Sequence, residues 1–178
     1  MGGGELAARI TGPLARRFST ATVLFHHAVA ERLGLGPSDH KCLDLIVERG
    51  TLTGAELAAL TGLTSGAITS VVARLEHAGY LRRAPDPQDG RRQLLQPVPE
   101  RMQDVAEVFA GLQSDAAALV AGFDTEQLEA IAQYLDRATH FARDRAAVLR
   151  AQARSARTWR PQPDPNPTPA TIPRSRPG

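Results

Sequence analysis

A chain of 178 residues with 42% hydrophobic residues can bury the core of one domain and still carry a tail. Aromatic residues are only 4%, which favours helices packed on helices, and a net charge of +2 excludes a polycation that coats nucleic acid indiscriminately. The one cysteine, Cys42, excludes an intrachain disulfide framework and makes a cytoplasmic location the expectation, and no apolar run approaches the ~18 residues of a membrane span.

Leu14, Phe18, Ala21, Phe25, Ala28 and Leu33 recur at helical spacing and predict an amphipathic helix over about 13–33. Gly34-Leu35-Gly36-Pro37 ends it, and Ser38 or Asp39 is placed to cap the next helix, which stops at Gly50. Thr53-Gly54-Ala55-Glu56 has the form of a capping box opening a short helix through Leu60. Gly62 breaks that helix, and Thr64 or Ser65 caps another that runs to Ala78 and ends at Gly79. Residues 80–83 and 92–96 read as two short strands joined by the turn formers Pro85, Asp86, Pro87, Asp89 and Gly90. A long helix follows Pro99, with Met102, Val105, Phe109, Leu112, Ala116, Leu119 and Phe123 at the alternating three- and four-residue spacing of a helix seam. Asp124 caps a last long helix with Leu128, Ile131, Leu135, Ala138, Ala142 and Leu149 along one face. From about Ser155 the chain turns Pro- and Arg-rich and is expected to be disordered.

Residues 54–73 fit a helix-turn-helix. Ala58 is small where the two helices touch, Gly62 supplies the turn, and Leu57, Leu63, Ile68 and Val71 fall where the pair must bury apolar side chains. On the second helix Thr64, Ser65, Thr69, Ser70 and Arg74 are polar, within reach of base edges or phosphates if this helix enters a major groove. At the hairpin tip, Arg91 and Arg92 are candidates for an adjacent minor groove, with Asp89 close enough to orient an arginine. Arg82 and Arg83 alternate across the preceding strand, so Arg82 is expected to touch a DNA backbone while its neighbour points away.

The run Leu57–Thr69, then Arg74-Leu75-Glu76-His77-Ala78-Gly79-Tyr80-Leu81-Arg82-Arg83, then Asp86-Pro87-Gln88-Asp89-Gly90-Arg91-Arg92, resembles the MarR family of bacterial transcription regulators. The resemblance covers roughly residues 10–150, and the Asp-x-Arg wing signature at Asp89 and Arg91 is its most specific part. It implies a mainly α fold with a small β-wing. Residues 10–35 would form an N-terminal dimerisation helix, 36–98 the winged helix-turn-helix lobe, 99–152 the C-terminal dimerisation helices and 153–178 a disordered tail. It further implies a homodimer on a pseudo-palindromic double-stranded operator, acting as a repressor released by a small aromatic or phenolic effector. The family's ligand cleft would fall near His26 and His27. The chain departs from the family pattern at Gly90 and Arg92 around the wing arginine, and at Ala73, where many members have Asp. The competing reading is a winged-helix protein-interaction module without DNA binding.

Other chemistry finds little support. No two of the five histidines are spaced i,i+4, and no cysteine cluster accompanies them, so no metal site and no cofactor are expected. Cys42 reads as a buried, inert thiol. No nucleophile elbow or phosphate loop is present, so an enzyme is not expected.

Overall fold

In the computed structural model, which describes residues 2–158, the chain is mostly helical with one small antiparallel sheet. It begins as a helix earlier than its apolar spacing predicts. α1 (Gly3–Arg9) buries nothing, which is why no stripe announces it. A π-helical turn at Ile10–Leu14 contains Pro13 and leads into α2 (Ala15–Arg32). A proline has no amide hydrogen to give the preceding turn, and a locally widened helix tolerates that loss.

α3 (Pro37–Arg49) starts with Pro at its first turn, where the missing N–H costs nothing. Neither Ser38 nor Asp39 caps it: the N-cap is Gly36, with no side-chain bond, and Asp39 is buried instead. A two-residue strand, β1 (Leu52–Thr53), then pairs with a later one; a segment so short has no period to read. Thr53 also opens α4 (Gly54–Thr61) through the expected capping box. Its backbone N–H donates to Glu56 Oε2 at 2.7 Å, and Glu56 N–H donates back to Thr53 Oγ1 at 3.2 Å. α4 ends at Gly62 with φ 74° and ψ 10°, a left-handed conformation that favours glycine. Thr64 caps α5 (Ser65–His77) by accepting the Ala67 N–H at 3.2 Å. Gly79, φ 78°, closes α5, with Tyr80 N–H reaching Leu75 O.

β2 (Leu81–Pro85) and β3 (Gln93–Pro97) form the hairpin, and the sheet order is β1-β3-β2. Leu95 lies opposite both Leu52 and Arg83, tying the wing to the helical lobe. The core is Leu43, Ile46, Leu57, Ile68, Val71, Leu75, Tyr80, Leu81 and Leu95, joined by Cys42. Helix periodicity anticipates Leu57, Ile68 and Val71, and Ala58 and Leu63 pack against the same cluster.

α6 (Pro99–Ala118) packs Met102 and Val105 on this core, but it ends before Leu119 and Phe123, which were expected on its seam, and these two and Leu112 are exposed. Asp124 caps α7 (Thr125–Thr158) reciprocally with Gln127, at 2.9 and 3.0 Å. Packing divides the chain into two units at Leu128. The first holds everything from α1 to the opening turn of α7. The second, from Glu129, is the rest of that helix, along which Leu135, Phe141, Val148 and Leu149 are exposed. The helix continues through Thr158, so residues 153–158, expected in the tail, are helical; the remainder of the tail lies outside the described residues. Among the described residues, no single helix is long and apolar enough to cross a membrane.

Candidate nucleic-acid interface

α4 and α5 cross at 113°, within the roughly 90–120° range of helix-turn-helix pairs. The buried stripe Ile68, Val71, Val72 and Leu75 fixes which face of α5 meets the core, so the other face is open. Thr64, Ser65, Thr69 and Ser70 are all exposed. Thr69 Oγ1 donates to Ser65 O at 2.9 Å and Ser70 Oγ to Gly66 O at 3.1 Å. With their protons given to the backbone, both hydroxyls turn lone pairs outward, ready to accept from a base amino group.

Arg74 is held differently from the four hydroxyl residues. Its Nε donates to Asp39 Oδ2 at 2.8 Å and its Nη2 to Asp39 Oδ1 at 2.6 Å, a two-pronged bond from α5 to α3. Asp39 is buried, whereas the Arg74 side chain remains 55% exposed, so part of the guanidinium still faces solvent. Sequence reading found Arg74 but not this partner, which lies 35 residues away.

The wing sorts its arginines by their partners. Arg83 donates through Nε to both Glu76 oxygens at 3.1 Å, a helix-to-wing ion pair made without an Asp at position 73. Arg82, opposite Gln96 in the sheet, is exposed. Arg92 leans back toward the lobe, with Nη2 3.8 Å from Glu56 Oε1 and Nε 3.9 Å from Asp86 Oδ2. Arg91 is exposed at the tip, and its guanidinium makes no ion pair among the described residues. Asp89 accepts the Arg91 backbone N–H at 3.1 Å, and Asp86 accepts that of Gln88 at 2.9 Å. Asp89 therefore sets the backbone from which Arg91 projects rather than gripping its guanidinium.

His26 and His27 part company. His27 is exposed, while His26 turns toward α3, its ring 5.5 Å from that of the buried His40. Burial lowers the pKa of His26 and of His40, outweighing the opposing pull of Asp44 on each. Burial, reinforced by Asp39, pushes the Cys42 thiol up to about 11, so it stays protonated and unreactive. A cleft of about 680 Å³ lies elsewhere in the same unit, lined by Arg32, Leu33, Tyr80, Arg101, Asp104, Glu107 and Val108; the two α2 histidines are not in its lining. Arg101 stacks over the Tyr80 ring at 4.6 Å, and Tyr80 Oη donates to Leu33 O.

A helix-turn-helix braced by a three-stranded wing, with hydroxyls on one exposed helix face and arginines on the hairpin, defines a winged-helix protein of the kind that binds duplex DNA. Comparison with known proteins makes this particular. Residues 33–92 match the model of the MarR family. The chain is 39% identical over 125 residues to the HTH-type transcriptional regulator YcgE of Bacillus subtilis, covering 70% of this chain and 81% of that one. A MarR protein from Peptoclostridium difficile superimposes with a TM-score of 0.56 at 17% identity, over 77% of this chain and 89% of the other. BpsR of Bordetella bronchiseptica, whose DNA binding is regulated by 6-hydroxynicotinic acid, superimposes at 0.50 with 20% identity, over 72% and 91%. The chain belongs to the MarR family: it is a DNA-binding transcription regulator, and not an enzyme.

Proposed function

We propose that the chain is a cytoplasmic, homodimeric repressor that binds a pseudo-palindromic operator and is released by a small aromatic anion. The observation that carries the reading is the wing tip. Arg91 is the wing arginine left without an acidic partner at the tip, and a narrow, electronegative minor groove favours such a guanidinium. Thr64, Ser65, Thr69 and Ser70 then face the major groove, with the free part of Arg74 beside them. Arg82 meets a phosphate, and Arg92 steadies the wing against Glu56.

Dimerisation is supported by the apolar side chains left in water. Phe18, Leu24, Phe141 and Leu149 are each more than 60% exposed, on helices assigned to the 10–35 and 99–152 segments. Two-fold symmetry would set two α5 helices about 34–36 Å apart, one turn of DNA. Effector release is supported by the cleft beside Tyr80: Asp104 there pairs with Arg101, which stacks on the Tyr80 ring, so Arg32 is the cation we assign to an effector's carboxylate. His26 and His27 are therefore not the residues we assign to it.

Selection of bound fragments from sheared genomic DNA tests the reading, with the wild type and an Arg91→Ala, Arg92→Ala variant side by side. Recovery of an inverted repeat overlapping a promoter by the wild type alone is the expected result. Equal recovery by both proteins would overturn it.

A further inference from the structure

We infer that His26, His40 and Asp44 form a binding site for a divalent transition-metal ion of the zinc class. The three side chains come from two helices and offer ligand atoms that all lie within 4.8 Å of one another. His40 Nδ1 is 3.5 Å and His26 Nδ1 3.9 Å from Asp44 Oδ2. Ligand bonds of about 2.0–2.2 Å in a tetrahedral shell place neighbouring ligand atoms roughly 3.3–3.5 Å apart, so the His40–Asp44 spacing already fits and His26 must turn inward to close the set.

The site also lacks what an ordinary buried histidine would have. His40 is 1% exposed, yet neither of its ring nitrogens has a hydrogen-bond partner, and His26 Nδ1 is buried without one as well. Buried polar atoms are normally satisfied, so three orphaned imidazole nitrogens beside a carboxylate point to a missing partner. A cation satisfies two of them at once, because each ring presents a lone pair when neutral. Two imidazoles and one carboxylate suit zinc, cobalt or nickel, and the fourth position stays open to water, as in exchangeable sites. The Lys41 ammonium, 3.0 Å from Asp44 Oδ2, is the group an ion would displace, and at 51% exposure it is free to swing into solvent. Bound there, the ion would tie α2 to α3, the helix whose Asp39 grips Arg74. In that last respect the inference rests on the DNA-binding reading, whereas the binding itself does not.

The experiment is a titration of metal-stripped, full-length protein with Zn²⁺ against a chromophoric chelator, paired with Co²⁺ absorption spectra. One ion per chain is expected, with the ligand-field bands of a nitrogen and oxygen shell and no sulfur charge-transfer band. His26→Gln and Asp44→Asn should each weaken binding by at least the about 10–100-fold that losing an outer-shell partner costs, with the circular dichroism unchanged. His27→Gln on the exposed neighbour should change nothing, and Lys41→Gln should tighten binding by removing the competing cation. Failure of the wild type to compete with the chelator would overturn the site. So would undiminished binding by both ligand variants, or a sulfur band implicating Cys42. None of these outcomes bears on whether the protein binds an operator.

Discussion

Arg91 and Arg92 are adjacent in sequence and identical in chemistry, yet their surroundings divide them. Arg92 lies near Glu56 and Asp86, while Arg91 makes no ion pair among the described residues. Asp86 lies in the wing beside Arg92, but Glu56 was not visible from the wing itself, because it is fixed by a capping box in another element. The same limit hid the role of Asp39. Arg74 was legible as a polar position on α5, but its carboxylate partner comes from α3. Arg74→Ala would leave the Asp39 carboxylate buried and unpaired, which destabilises the fold. Thermal melting should show that loss, and the Asp39→Ala, Arg74→Ala double variant should lose little more than Arg74→Ala alone. Losses that simply add would mean the two residues act independently.

Local sequence was most informative where an element is closed by its own residues. The capping box at Thr53 and Glu56, the glycine after α4 and the Asp124 cap of α7 all form as their spacing dictates. β1 was not legible, since two residues cannot alternate, nor was α1, since nothing in it is buried. Gly62→Val forces a β-branched side chain to φ 74° and should destabilise the lobe by about 1–3 kcal/mol, read as a lower melting temperature. The α2–α3 contact carries a pH dependence of its own. Folding lowers the pKa of His26 and His40 from 6.5, with Asp44 and Lys41 the charged groups beside them, so the unfolded chain binds more protons between the folded and unfolded values. Their contribution is therefore present above pH 6.5 and is lost as pH falls through the folded values. Melting in the presence of a chelator should show stability falling with pH over that window, and His26→Gln should flatten the slope.

At the scale of the whole molecule, the proposed second copy is what would cover the apolar side chains of the long helices. The heptad-like spacing on α6 and α7 was plain in the sequence, yet one chain leaves Leu119, Phe141 and Leu149 exposed. A Phe141→Glu, Leu149→Glu variant should sediment as a monomer at concentrations where the wild type is a dimer. A dimer of undiminished stability would place the interface elsewhere. The proposed function draws on both scales, because a wing arginine would select a groove while dimer symmetry would select the distance to the next one.

The most direct test of the account is the affinity of the Arg91→Ala and Arg92→Ala single variants for the selected operator, measured against salt concentration. Arg91→Ala should lose about 1–3 kcal/mol of binding and much of its preference for A·T at the wing position. Arg92→Ala should lose much less, since its charge is already engaged within the protein. Equal losses, or a greater loss from Arg92→Ala, would contradict the assignment of Arg91 as the residue that reads the minor groove.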